Sequence, residues 1–367
     1  MIDGIATKIN LDTGVIKTLD VDRFKNVLVL TGAHYSVKVF DEKIRPLIKK
    51  ANVHIYSGIP TNPTDLNVYN ITSFARTKDI DCILSVGGGS VMDCGRLVGL
   101  LLSHGGLLHE YLAGGTIGPL GITPNLIYHI TVPTVSGTGA EISCKSGFIS
   151  NKEMKTVYSP YLAPQATYLD PEIMKGIPVS NWAGISFNTF ATALAAYVST
   201  YANITSDMFA KEALKGYIEY SPKLAKDVDN VEYIKQMEVA SINAFIATNF
   251  SSTGAAHAIA DVLSAKINIR YGEALALVCG EIHKRSYSEN KERYDEVIKM
   301  LSKTDKDIKV VIDKLIKKIK MLLPSVKERL EDIGIGKVAS ECMTYVMRGN
   351  PKLFAQKEIE SILKSLD

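Results

Sequence analysis

Three glycines and a serine, Gly87-Gly88-Gly89-Ser90, break an aliphatic run and open an apolar-periodic one. Backbone without Cβ atoms can approach a diphosphate closely, while the amides and positive end of a following helix face its charge. A plain structural turn is the competing reading, because many α/β proteins carry a lone glycine turn. A second loop, Pro133-Thr134-Val135-Ser136-Gly137-Thr138-Gly139-Ala140-Glu141, offers hydroxyls and further amides to a ligand. Farther on, His257 and Asp261 are four residues apart and share a helix face. His257 reads either as a site imidazole or as a packed core histidine.

These residues need elements to hold them. Ile80 to Val86 reads as a strand and Val91 to Leu102 as a helix, which makes the glycine run a strand-turn-helix junction. Before it come a short strand from Ala6 to Asn10, a buried strand from Val27 ending at Gly32, a helix from about Val37 to Ala51, and a strand at His54-Ile55-Tyr56. Pro60 to Thr64 is a turn, followed by helix. This alternation predicts a parallel sheet covered on both faces. Pro119 to Pro124 reads as a loop and Ile127 to Val132 as a strand. After Asp170-Pro171 the period becomes helical over 183–199, 206–220, 232–249, 253–267 and 272–286, and the tail over about 290–365 is a set of Lys/Glu-rich amphipathic helices. The fold class expected is α/β plus all-α, with a Rossmann-like parallel-sheet domain over 1–172 and a helical domain over 173–367.

The chain has 367 residues, 46% of them hydrophobic, which suffices for two packed cores. Its net charge of +3 comes from lysines scattered among acidic residues, which argues against a nucleic-acid or membrane surface. The lysines at 314, 317, 318 and 320 alternate with Leu315, Ile316 and Ile319 and read as a solvated helix face. Five widely spaced cysteines in mostly apolar contexts read as buried free thiols of a reducing compartment. The first residues lack a basic segment followed by an apolar one, and no apolar run approaches a membrane span of roughly 20 residues. A cytoplasmic location is expected.

The strings Gly87-Gly88-Gly89-Ser90-Val91-Met92-Asp93 and Pro133 to Glu141, the pair Asp170-Pro171, and Gly254-Ala255-Ala256-His257-Ala258-Ile259-Ala260 occur in this order in the iron-containing (group III) alcohol dehydrogenases. The chain resembles that family over nearly its whole length. The resemblance implies a dehydroquinate synthase-like architecture, with an NAD(P) site in the cleft between the two domains. It implies that Gly88, Gly89 and Ser90 hold the diphosphate, that Asn62 lies on the ribose or adenine side, and that Thr134, Thr138 and Ser143 line the nicotinamide half, with Lys155 as a cofactor-contacting lysine and Asp93 among the cofactor residues. Gly32 stands where NAD-preferring members tend to carry Asp. A carboxylate there would bind a 2′-hydroxyl and repel a 2′-phosphate, and glycine does neither, while Ser36 could donate to the phosphate. NADP(H) is therefore expected to bind at least comparably to NAD(H), although Gly32 reads equally as a turn glycine. Arg96 replaces the lysine usual three residues after Asp93, keeping charge but not shape. Members of the family commonly dimerise through N-terminal strands, so a homodimer is expected.

The family's metal half is where the sequence departs. The resemblance places the Fe²⁺ or Zn²⁺ ligand positions at Asn188, Thr192, His257 and Tyr271, and a further frequent histidine at Asp261. A divalent ion takes three or four anionic or imidazole donors, whereas Asn188 and Thr192 offer neutral oxygens and Tyr271 a phenol with an ordinary pKa near 10. No iron or zinc is expected. Three readings compete: a metal-independent NAD(P)H-dependent reductase in which Tyr271 or His257 serves the substrate oxygen, a decayed relative that keeps cofactor binding or oligomerisation, and a metal dehydrogenase with altered ligands. In the first, Tyr271 is the favoured donor because a neutral phenol donates at pH 7 without first being protonated, and Asp261 completes the catalytic set. Lys145 and Arg270 could receive a small anionic carbonyl or alcohol substrate, or could be solvated surface cations.

Overall fold

The computed structural model describes residues 7–366, which form two compact units, the first ending at Lys175 and the second beginning at Gly176. The first unit runs β1 (Lys8–Leu11), β2 (Asn26–Thr31), α1 (Tyr35–Val39), β3 (Asn52–Tyr56), α2 (Asp65–Ala75), β4 (Cys82–Gly87), α3 (Gly89–His104) and β5 (Tyr128–Pro133), then β6 (Lys145–Ser150), β7 (Glu153–Tyr158) and β8 (Ala166–Leu169). Six strands make one sheet in the order β1-β8-β5-β4-β2-β3, with every pair parallel. β6 and β7 form a separate antiparallel hairpin. β2 and β4 read as unbroken apolar runs because both of their faces are covered. Leu28, Leu30 and Ile83 pack on one side with Val68, Ile71 and Leu97, while Val27, Val29, Leu84 and Val86 pack on the other with Phe40 and Ile44.

Two expectations are corrected in this unit. The first strand lies at Lys8–Leu11, and Ala6 falls outside the described residues. The helix expected to reach Ala51 stops early: α1 widens into a π turn over Phe40–Ile44, tightens to a 3-10 turn over Arg45–Leu47, and ends. Pro46 has no amide to continue it. The Asp22 carboxylate then takes the amides of Lys49, Lys50 and Ala51 at 2.8 to 3.1 Å. Within Pro119 to Pro124 a short 3-10 turn covers Pro119–Gly121.

α3 lies close on the sheet because Gly95 has no side chain there. A Cβ at Gly95 would sit 2.6 Å from Nε2 of His129, which itself is 2.8 Å from the Ser85 hydroxyl. Burial pushes the His129 imidazole down to about 3, so this contact between β4 and β5 is made by a neutral ring.

The second unit is helical: α4 (Val179–Val198), α5 (Ile204–Leu224), α6 (Val231–Phe250), α7 (Ala255–Ile267), α8 (Tyr271–Ser286), α9 (Lys291–Leu301), α10 (Ile308–Lys318), α11 (Lys327–Ile333), α12 (Ile335–Glu341) and α13 (Gln356–Lys364). α4 is buried almost all round from Trp182 onward, as its unbroken apolar and small-residue composition requires. α10 turns Ile308, Val311, Ile312, Leu315 and Ile316 inward and leaves the 314–320 lysines in solvent, with Lys314 on Asp305 at 2.8 Å. A loop near the chain end ties the unit together. The Thr200 amide donates to the Gly349 carbonyl at 3.0 Å, and the Asn350 side chain donates to Ser286 Oγ at 2.9 Å while accepting from the Ala255 amide at 3.4 Å. Asn350 thus caps α7 from a distance of 95 residues in sequence. Among the described residues no helix is long and apolar enough to cross a membrane. All five cysteines are free thiols, four of them buried and Cys144 half-buried.

Candidate functional site

In the first unit the glycines of the β4–α3 turn have different physical reasons. A Cβ on Gly87 would lie 2.6 Å from Val91, so only glycine lets the strand turn into the helix. Cβ atoms on Gly88 and Gly89 would meet Val135 at 3.5 Å and Thr138 at 3.4 Å. Those two positions tolerate a side chain in the fold, so their bareness keeps the mouth between turn and second loop open. Gly88 is the N-cap of the 16-residue α3, and its carbonyl takes the amides of Val91 at 3.0 Å and Met92 at 3.3 Å, which leaves those of Gly89 and Ser90 with no acceptor within the helix. Ser90 Oγ accepts the Asn62 amide at 3.2 Å, with Asn62 in the left-handed region (φ 53°) that asparagine tolerates.

Gly32 stands beside this turn. Its Cβ would lie 3.4 Å from the buried Ser36 hydroxyl and 3.7 Å from Val91, and its φ is not left-handed. Neither backbone nor packing therefore requires glycine at this position, and Gly32→Asp is expected to fold. The variant is also expected to shift nucleotide preference towards NAD(H) about tenfold or more, through a new acceptor for a 2′-hydroxyl and repulsion of a 2′-phosphate. Paired titrations with NADH and NADPH measure it, and an unaltered ratio sinks the assignment of Gly32.

The second loop follows β5 directly, with the Thr134 amide on the Gly87 carbonyl at 3.1 Å. The Thr138 hydroxyl accepts the Ala140 amide at 3.3 Å and donates to Glu141 at 3.4 Å. Glu141 is fully enclosed, and burial pushes its carboxyl up to about 7. Other expected cofactor residues spend their polar atoms inside the unit. Ser143 Oγ closes a turn with the Lys145 backbone at 3.0 and 3.1 Å. Lys155, on β7, places Nζ 2.5 Å from Glu153. Asp93 is tied to the Arg96 guanidinium and to Ser146; burial pushes its carboxyl up against the opposing pull of Arg96. Lys145 is exposed at the start of β6.

In the second unit Asn188 and Thr192 sit one turn apart on α4 and His257 stands in the first turn of α7. The Thr192 hydroxyl is 3.1 Å from Asn188 Oδ1 and 3.1 Å from His257 Nε2. Thr192 has one proton for these two contacts. When it goes to Asn188, Nε2 must carry hydrogen; when it goes to Nε2, the nitrogen lone pair is taken. Tyr271 opens α8 with its hydroxyl 3.4 Å from the His257 carbonyl and the two rings 6.2 Å apart. Burial pushes the phenol well above its ordinary value, and the Asp261 carboxylate, which shares a hydrogen bond with it, adds to the shift. Arg270 is held by Glu273 through both its amide and its guanidinium at 3.3 Å.

The four positions thus converge as the resemblance implies, but they converge on one another. Only one is an imidazole, its Nε2 is bonded, and the rest are neutral oxygens. This donor set does not fit iron or zinc. Among the described residues no group of three or more His, Cys, Asp or Glu side chains is placed to hold a metal ion. The residues that sequence reasoning passed over are structural in kind: Gly95, Glu141, Ser146 and Asn350. A signal for one was present, since Gly95 and Gly99 form a small-residue step on α3.

Two family profiles match the chain. The one described as "Iron-containing alcohol dehydrogenase" covers residues 6–171 and the one described as "Fe-containing alcohol dehydrogenase family, C-terminal" covers 183–366. The chain is similar to 1,3-propanediol dehydrogenase of Klebsiella pneumoniae, 27% identical over 252 residues, which is 68% of this chain and 64% of that protein. The match thus spans a little under two thirds of that relative's length. It is also similar to 4-hydroxybutyrate dehydrogenase of Clostridium kluyveri, 32% identical over 62% of this chain and 61% of the other. In fold it is similar to the crystal structure of sulfoacetaldehyde reductase from Bifidobacterium kashiwanohense in complex with NAD+, with a TM-score of 0.87, 19% identity, and coverage of 99% of this chain and 98% of that one.

Proposed function

The chain belongs to the iron-containing alcohol dehydrogenase family, and we propose that it is an NAD(P)H-dependent alcohol dehydrogenase or carbonyl reductase that works without a resident metal. The observation that carries the metal-free part is the closed chain Asn188–Thr192–His257, in which the one surviving imidazole spends Nε2 on a neighbour. The nucleotide part rests on a bare turn at the start of a long helix, with room beside Gly88 and Gly89 for a diphosphate. A nicotinamide bound there supplies the hydride. The free amides of Gly89 and Ser90 at the start of α3 would hold the phosphates, with Ser90 and Asn62, joined by a hydrogen bond of 3.2 Å, at the side of the entry.

The oxygen of the substrate then needs a proton from a side chain. Tyr271 is the poorer source, because its proton already has the His257 carbonyl at 3.4 Å as acceptor and the phenolate left behind would stand beside the Asp261 carboxylate. His257 is the better one, with the Thr192 hydroxyl at 3.1 Å as the contact through which a proton moves on or off Nε2. An anionic substrate is favoured by the 4-hydroxybutyrate and sulfoacetaldehyde named for two similar proteins, both small anions. Lys145, exposed, is the cation available to such a substrate, while Arg270 is shared with Glu273. A homodimer acting on this small molecule in the cytoplasm completes the reading.

Elemental analysis of the purified protein is expected to find less than about 0.1 iron or zinc per chain, in keeping with the affinity a lone imidazole confers. Turnover of small anionic aldehydes is expected to be unchanged after prolonged chelation. Stoichiometric metal, or activity that chelation removes and metal restores, overturns the metal-free reading.

A further inference from the structure

Deeper in the first unit, behind the turn that the proposed function gives to the dinucleotide, a single guanidinium joins three chain segments. Arg96 is 3% exposed. Its Nη1 donates to the Ala140 carbonyl at 2.5 Å, and its Nη2 pairs with the Asp93 carboxylate. Asp93 in turn receives Ser146, whose hydroxyl donates to the Asp93 carbonyl at 2.8 Å and lies 3.3 Å from its carboxylate. The second loop, α3 and β6 therefore meet at one ion pair. The Arg96 Nε is buried without an acceptor, so its desolvation goes uncompensated. An arrangement that leaves a donor unmet is poorly explained by stability alone. A buried ion pair adds little net stability over apolar packing, and its best-attested use is to fix one geometry.

We infer that Arg96 is a positioning residue for the nucleotide site: its two-pronged grip on Ala140 and Asp93 sets where the second loop stands over the phosphate turn. This rests on the reading of that turn as a dinucleotide site. Thr138 is two residues before Ala140, and the place of a Gly89 Cβ is 3.4 Å from it, so loop and turn are already in van der Waals reach. A shift of the loop by about 1 Å would carry Thr134 and Thr138, which the family resemblance gives to the nicotinamide half, off their places while leaving the α3 amides where they are, a displacement of the size that disturbs oriented ligands. Lysine cannot substitute in shape. An ammonium is a point charge on a flexible stem, whereas the guanidinium presents separate nitrogens in a fixed plane to carbonyl and carboxylate.

The test uses Arg96→Lys, which keeps the charge, and the double variant Asp93→Asn with Arg96→Met, which leaves no charge buried alone. Affinity is measured for NADH, for NADPH and for ADP, a fragment that holds the diphosphate but lacks the nicotinamide half. Arg96→Lys is expected to weaken the dinucleotides about tenfold, as for loss of one charge-assisted hydrogen bond, with ADP changed less than about twofold. The double variant is expected to weaken the dinucleotides further with the same split. Unchanged dinucleotide affinity in either folded variant overturns the inference, and so does equal weakening of ADP and dinucleotide, which is general damage to the unit. Failure of the unmodified chain to bind any of the three ligands overturns the dinucleotide reading itself and the inference with it.

Discussion

Gly88→Asp is expected to weaken NAD(P)H binding by about 3 kcal/mol or more, a hundredfold or greater rise in Kd. The new carboxylate would stand at the N-cap of α3, where the proposed diphosphate would take the free amides of the helix start. Two like charges about 4 Å apart repel by about 4 kcal/mol at an effective dielectric constant near 20. The fold should survive, because the nearest atom to the new Cβ is Val135 at 3.5 Å and the backbone is extended there, with φ −87° and ψ −171°. The neighbouring Gly87 makes a poor test, since its Cβ would strike Val91 and the loss of binding would follow from a displaced helix. Calorimetry on folded Gly88→Asp gives the measurement, and wild-type affinity there removes the foundation of the dinucleotide reading.

His257→Gln is expected to lower kcat about 10²-fold, the ordinary worth of a positioned proton donor, with nucleotide affinity unchanged. Glutamine keeps a polar nitrogen near Thr192, so the packing between α4 and α7 is retained, but an amide does not exchange protons as an imidazole does. Tyr271→Phe is expected to cost less than about tenfold, because burial and the nearby Asp261 carboxylate make the phenol hold its proton more tightly than usual. The order of the two effects is the informative result. A larger loss in Tyr271→Phe than in His257→Gln moves the donor to the phenol, and full activity in both leaves the substrate oxygen to some other group.

The elements that position the candidate site were largely legible, for a physical reason. A parallel strand covered on both faces is a continuous apolar run, and β4 followed by glycines shows both the strand and the place where it stops. The helices of the second unit announce themselves through their period. The stop of α1 was legible in Pro46, which the periodic reading ran past, whereas the capture of the amides after it by Asp22, a residue from before the helix, was not. Side-chain direction was not legible either. Asp93, Ser143 and Lys155 are at positions that the family resemblance assigns to the cofactor, yet each has its polar group on a partner within its own unit. Spacing tells which residues share a region, while the neighbour that wins a carboxylate or hydroxyl is a matter of three-dimensional competition. The departure at Asn188, Thr192 and Tyr271 was visible as chemistry. That these side chains close on one another and on His257 was visible only as geometry.

Asn350 sets an order of events during synthesis. The helix that carries His257 takes its N-terminal cap from a residue 95 positions later, and Thr200 at the end of α4 waits for Gly349 across a still longer span. A ribosome that has just released α7 and α8 has made both partners of the His257–Thr192 contact but not the loop that holds α7 in place. Contacts of such separation form late, since a long loop must close before they repay its entropy. The nascent second unit therefore carries its candidate proton donor on a helix that lacks its N-terminal cap until Asn350 leaves the exit tunnel, and a chain cut short before Asn350 keeps every motif residue of the site while lacking that cap.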